Sequence, residues 1–224
     1  MYNSLVRIQN TFGFFTTVAF VVGMLIAGTD LLSARNPSAS LKTTNVQVVR
    51  GRPHYYSTKK EEYAIIKFSM DADLSSLFTW NTKQVFVYVT AEWPASAAAN
   101  ATNQAVIWDS IITAPSADHL ANLGPATLKK LIRSAKGKSI DPSRGILKLK
   151  NQRPKYQITH PSGKIASTAD VRLRLHYNVQ PWVGALAWDQ TVTELGPWAT
   201  MKGGLSPSFP LPAIKVKETP KAKA

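Results

Sequence analysis

Residues Ile8 to Thr29 read I-Q-N-T-F-G-F-F-T-T-V-A-F-V-V-G-M-L-I-A-G-T, a run without one charged side chain. As a helix rising about 1.5 Å per residue it reaches roughly 33 Å, enough to cross a bilayer core of about 30 Å. A core helix of a soluble domain keeps a polar face, and this run keeps none. It is therefore expected to span a membrane, with everything after it on one side. A cleaved signal peptide is the rival reading. Signal h-regions are shorter and end at a small-x-small site. The nearest match here is Ala27-Gly28-Thr29 with Asp30 directly behind it, so retention as a signal anchor is expected. Arg7 precedes the run, Asp30 and Arg35 follow it, and the bias of basic residues places the short N-terminus in the cytosol. Within the helix, Ala19, Gly23 and Ala27 recur every fourth position, a stripe of small residues on which another helix could pack closely.

Beyond the anchor, Leu32 to Lys42 reads as a polar linker in which Pro37 bars a continued helix. From Thr43 the apolar period becomes two. Asn45 to Val49 is a short strand candidate. Ala64, Ile66, Phe68, Met70 and Ala72 then alternate against Lys67, Ser69, Asp71 and Asp73. Lys83 to Trp93 is the strongest strand, with Val85, Val87, Val89 and Ala91 on one face and Phe86 and Tyr88 making the other apolar too. A strand apolar on both faces sits centrally or turns its second face to a partner. Asn103 to Thr113 follows, then a helical stretch over Asp118 to Arg133 broken at Gly124-Pro125. Ile146 to Leu149 and Tyr156 to Ile158 are short strand candidates. Val171, Leu173, Leu175, Tyr177 and Val179 alternate against Arg172, Arg174, His176 and Asn178, which puts His176 on a solvated face. Ala185 to Leu195 is a last candidate, and Pro207 to Pro212 and the tail read as irregular. Many short strands and almost no helix predict a mainly β protein: one N-terminal transmembrane helix followed by an antiparallel β-sandwich. The expected plan is an N-terminus at 1–7, an anchor at 8–31, a linker at 32–42, a sandwich at 43–213 and a basic tail at 214–224.

Composition narrows the function. The 224 residues contain no cysteine, which excludes disulfides, thiolate metal sites and a cysteine nucleophile. The net charge of +14 invites a nucleic-acid reading. Its cations concentrate in one insertion, about 129–164, where eleven Lys and Arg face Asp141 alone. No recognition helix or RNA-stacking signature accompanies it, so no nucleic-acid partner is expected. Asp71-Ala72-Asp73 is a D-x-D that would suit a lumenal glycosyltransferase holding a divalent metal. It ends an alternating strand, where outward carboxylates are ordinary, and no phosphate loop or α/β pattern supports it. The four histidines lack metal-ligand spacing, and no serine has a catalytic arrangement around it. Catalytic residues, cofactors and metals are therefore expected to be absent. Asn100-Ala101-Thr102 is the single N-x-[ST] sequon and the expected glycosylation site.

The run from Phe68 to Glu92 closely resembles the subunit 3 family of the endoplasmic-reticulum signal peptidase complex. The resemblance rests on Ala72-Asp73-Leu74, Phe78, Trp80-Asn81, Lys83-Gln84, Phe86, Tyr88 and Ala91-Glu92. Asn103-Gln104, Trp108-Asp109, R-L-H-Y-N-V-Q-P at Arg174 to Pro181 and S-F-P at Ser208 to Pro210 agree in order. It implies a non-catalytic subunit with one membrane helix and a lumenal β domain, which holds the protease that cleaves signal peptides. The implied partners are that catalytic subunit, two smaller membrane subunits and membrane lipid, in a hetero-oligomer of the endoplasmic-reticulum membrane. Trp80, Asn81, Lys83, Gln84, Phe86, Tyr88, Trp108 and Asp109 become the candidate interface. The chain departs from the family at Ala169-Asp170-Val171, where the common glycosylation position has no sequon here, and in its longer basic insertion.

Overall fold

The first element is set by its cap. Asn3 accepts a hydrogen bond from the Leu5 amide on its side chain, 3.2 Å, and opens helix α1, Ser4–Leu31. Apolar side chains such as Phe12, Phe14, Phe15 and Phe20 point outward all along it. By length and composition α1 can cross a membrane. The computed structural model describes residues 3–53, 56–95, 101–114, 129, 142–189 and 197–214. Asn100, the tail from 215, and the expected helix at 118–133 and basic insertion before residue 142, apart from Lys129, lie outside the described residues.

Nine described strands follow: β1 (Ser38–Gly51), β2 (Glu61–Asp73), β3 (Thr82–Pro94), β4 (Thr102–Thr113), β5 (Ile146–Gln152), β6 (Ile158–Thr159), β7 (Arg172–Pro181), β8 (Ala187–Trp188) and β9 (Lys202–Gly203). They form two sheets, β5-β2-β1-β9 with β6 also on β2, and β4-β3-β7-β8. All pairings are antiparallel except the two-residue β1–β9 contact. The inward-facing sets read from the sequence meet between the sheets. Ile66, Phe68 and Met70 of β2, Val85, Val87 and Val89 of β3, and Leu173, Leu175 and Tyr177 of β7 belong to one buried cluster.

One boundary is corrected. Ser38 to Lys42, expected as linker, are the first rungs of β1, running from Ser38 opposite Asp73 to Lys42 opposite Ser69. Leu41 is buried and Ala39 partly so, while Ser38, Ser40 and Lys42 face out. The polar composition that suggests a linker is the outward half of a strand.

Residues 198–211 stitch the two sheets together. Ala199, Lys202 and Gly204 donate to the carbonyls of Arg35, Pro37 and Ala39 on one side. Gly204 and Phe209 then accept from Leu175 of β7 and from Val171 just before it on the other. The Pro-rich stretch read as irregular is thus a tie. Gly203 is required there: its φ is +79°, and a Cβ would stand 2.0 Å from the Ala39 carbonyl oxygen.

Candidate partner interface

The eight candidate residues do not share one surface. Phe86 and Tyr88 do lie on the outward face of β3, flanked by β4 and β7. Their rings stack at 5.4 Å, and Tyr88 meets the Trp188 ring edge-on at 6.3 Å. Phe86 sits opposite Ile111 of β4, so Phe86, Tyr88, Ile111 and Trp188 make a partly exposed apolar face. Trp108 belongs to the opposite side: it is 6% exposed and packs edge-on against Phe68 across the core at 6.0 Å. A bulge between Val89 and Thr90 shifts the register beside it. Asp109 pairs with Lys155 at 3.2 Å and accepts from the Tyr156 hydroxyl, which holds that phenol above its ordinary range. Gln84 is engaged with Gln180 at 2.6 Å.

Asn81, Lys83 and Trp80 gather at the end of the sandwich nearest α1. Asn81 is buried and clamps the loop after β7. Its Nδ2 donates to the Val183 carbonyl at 2.8 Å, its Oδ1 accepts from the Val183 amide at 3.1 Å, and its own carbonyl accepts from the Trp182 amide. The Lys83 ammonium lies 5.3 Å from the centre of the Trp182 ring. Trp80 is 62% exposed beside them.

That loop rests on the helix. A Cβ added at Gly23 would lie 3.8 Å from Val183, and one at Gly184 would lie 3.3 Å from the Ala27 methyl. The small-residue stripe at its Gly23 and Ala27 end therefore receives this chain's own loop. Ala19, the third member, is exposed. Small residues are what let loop backbone come this close.

A second contact locks helix to sandwich, and the sequence reading missed it. Arg35 is fully buried, with Nη2 2.7 Å from Asp30 Oδ1 in the last turn of α1. Its guanidinium lies 3.9 Å from the Trp198 ring centre, and Trp198 Nε1 donates to the Leu31 carbonyl at 3.1 Å. Thr79 Oγ1 donates to the same Asp30 oxygen at 2.8 Å. Burial draws the Arg35 guanidinium below its ordinary range, against the opposing pull of Asp30. Asp30 and Arg35, five residues apart, read as topology flanks in the sequence. Nothing in the sequence shows that Trp198 and Thr79 close around them.

His176 is also corrected. It is 1% exposed, not solvated, because Tyr88 stacks on it at 5.0 Å and polar partners surround it. Nδ1 is 2.7 Å from Asp189 Oδ2, and Nε2 is 3.2 Å from the Gln104 amide nitrogen. With Nδ1–H donating to the Asp189 carboxylate, Nε2 is placed to accept from the Gln104 amide. Glu92 is occupied by Arg174 at 3.0 Å. Burial, then Asp189, raises the Tyr88 phenol; the same causes push Tyr177 up to about 12. The D-x-D carboxylates diverge in use. Asp73 accepts from the Ser75 hydroxyl and amide at 2.6 and 3.0 Å, and Asp71 sits opposite Ser40 and Lys148. No group of three His, Asp or Glu side chains able to hold a metal occurs among the described residues.

A long apolar helix tied by buried contacts to a two-sheet domain with a partly exposed aromatic face defines a β-sandwich carrying one N-terminal apolar helix. The family model described as signal peptidase subunit matches residues 1–129 and 139–197, most of the chain, and the chain belongs to that family. Several proteins named signal peptidase complex subunit 3 are similar to it over most of its length. The Debaryomyces hansenii protein is 28% identical over 85% of this chain and 90% of its own length. The Saccharomyces cerevisiae protein is 28% identical over 86% and 93%, and the Gallus gallus protein 28% over 89% and 83%. The chain is thus a non-catalytic accessory subunit of a signal peptidase complex.

Proposed function

We propose that this subunit holds the catalytic subunit of the complex at the endoplasmic-reticulum membrane, with α1 as a type II anchor and the sandwich in the lumen. The observation that carries the reading is the outward face of the β4-β3-β7-β8 sheet. Phe86 and Tyr88 of β3, Ile111 of β4 and Trp188 of β8 leave apolar surface uncovered on a sheet whose other face already fills the core. Central aromatic anchors of an interface cost about 2 kcal/mol or more on truncation, which weakens binding more than tenfold. Phe86→Ala and Tyr88→Ala should therefore lower both recovery of the catalytic subunit from detergent extracts and signal-peptide cleavage, while the purified chain keeps its unfolding temperature. Full recovery of the protease with both variants would overturn the proposal. Asn100 is proposed to carry the single N-glycan, and Asn100→Gln should abolish the mobility shift on endoglycosidase treatment.

A further inference from the structure

We propose that the loop Trp182–Ala187 enters the bilayer beside α1 as a second membrane foothold. The proposal rests on α1 spanning the membrane. Pro181 to Trp188 reads P-W-V-G-A-L-A-W and carries no charge until Asp189. Trp182, Val183 and Trp188 are partly exposed, and Leu186 is 58% exposed. In water such a run is an uncompensated apolar tip; its setting beside the helix supplies the solvent it fits.

Depth follows from the contacts with α1. Centring a hydrocarbon core of about 30 Å on the uncharged Ile8–Thr29 run puts its edge near Gly28, with Gly23 about 8 Å inside. Val183 packs at Gly23 and Gly184 at Ala27, so the loop reaches below the level where the core begins. Tryptophans at both ends of the loop, with exposed Trp80 alongside, have the distribution of an interfacial aromatic belt. The Lys83 ammonium over Trp182 adds a cation beside the loop, the charge an anionic headgroup attracts.

The backbone chemistry points the same way. Irregular backbone survives at membrane depth only where protein satisfies its polar groups. The amide and carbonyl of Val183, the residue packed deepest on α1, are both taken by the buried Asn81 side chain, and the Trp182 amide by the Asn81 carbonyl. The clamp leaves neither polar group of Val183 dependent on water, as a backbone segment at that depth requires.

The absence of native cysteines makes the test direct. The full chain carrying Val183→Cys or Leu186→Cys, labelled with an environment-sensitive fluorophore, is reconstituted in phosphatidylcholine vesicles containing acyl-chain nitroxide lipid. Phe20→Cys on α1 reports the bilayer and Lys148→Cys on β5 reports water. Labels at 183 and 186 should be blue-shifted and lipid-quenched like Phe20, and protected from aqueous iodide. Iodide quenching at both positions equal to Lys148, with Phe20 still lipid-quenched, would overturn the loop insertion alone. A Phe20 label open to iodide would overturn the spanning helix and the loop proposal with it.

Discussion

Replacing Asp30 by alanine strips the counter-charge from a guanidinium that has no route to water. The attraction removed is about 6 kcal/mol for unit charges at the observed 2.7 Å and an effective dielectric near 20. The net effect is smaller, because the pair also carries the cost of being buried. That cost is visible in Arg35, whose pKa is lowered by desolvation despite Asp30 beside it. Breaking one partner of such a pair costs about 3–5 kcal/mol, since the other charge stays buried and unpaired. Thr79 loses its acceptor in the same step. At about 2–4 °C per kcal/mol for a domain this size, Asp30→Ala should lower the unfolding temperature of the full chain in detergent by roughly 6–20 °C.

The double variant discriminates the cause. Arg35→Met keeps an apolar stem against Trp198, and paired with Asp30→Ala it removes both charges at once. Since replacing a buried pair by packed apolar groups is often neutral or stabilising, the double variant should recover most of the loss. A calorimetric double-mutant cycle in micelles measures this. If Asp30→Ala costs under about 1 kcal/mol, or if the double variant is no more stable than the single one, the ion pair does not hold helix to sandwich.

Asn81→Ala should free the Val183 amide and carbonyl together, at about 1–3 kcal/mol for each group left unpaired, and hydrogen exchange at Val183 should accelerate while β3 stays protected. Gly203→Ala should detach β9 from β1, because the new methyl meets the Ala39 carbonyl at a positive φ; thermal unfolding should show a loss of about 1–3 kcal/mol or more. Asp73, held below the ordinary carboxylate range by Ser75, and Glu62, held down by the Ala166 and then the Ile165 amides, contribute stability above that range. Their folded values lie below the unfolded ones, so this stability is lost as pH falls through them, and urea midpoints for Glu62→Ala should fall less steeply with acid than those of the parent chain.

The core was legible because period two is a local signal: Ile66, Phe68 and Met70, or Val85, Val87 and Val89, announce their face within a few residues. The first rungs of β1 escaped because Ser38, Ser40 and Lys42 dominate a stretch whose inward half is only Ala39 and Leu41. The site was less legible than the core, because its residues meet over long separations. Asn81 and Val183 stand 102 residues apart, and Trp198 and Leu31 stand 167 apart. Motif resemblance marked Asn81 and Trp108 as special without saying which face they serve. The apolar, Trp-bounded run at 182–188 was readable in composition, but its depth depends on Gly23 and Ala27, which only the fold brings beside it.

The buried polar residues of β7 make sense in that light. A strand of two residues, β8, has too few ladder bonds to fix the return of the 182–186 loop on its own. Asn178 adds a side-chain bond to the Ala187 carbonyl at 3.3 Å, and the Asp189 amide donates to Tyr177. His176 then ties the Asp189 carboxylate at 2.7 Å, shut in beneath Tyr88. A His–Asp pair so placed resembles acid–base machinery, yet the imidazole is 1% exposed and covered by Tyr88. Its position assigns it a mechanical task instead. Asn81 holds the loop where it leaves β7, and Asn178 and His176 hold it where it returns. Losing His176 should therefore disturb Trp188 and the aromatic face before it disturbs any chemistry, and His176→Ala should alter Trp188 fluorescence in the isolated chain.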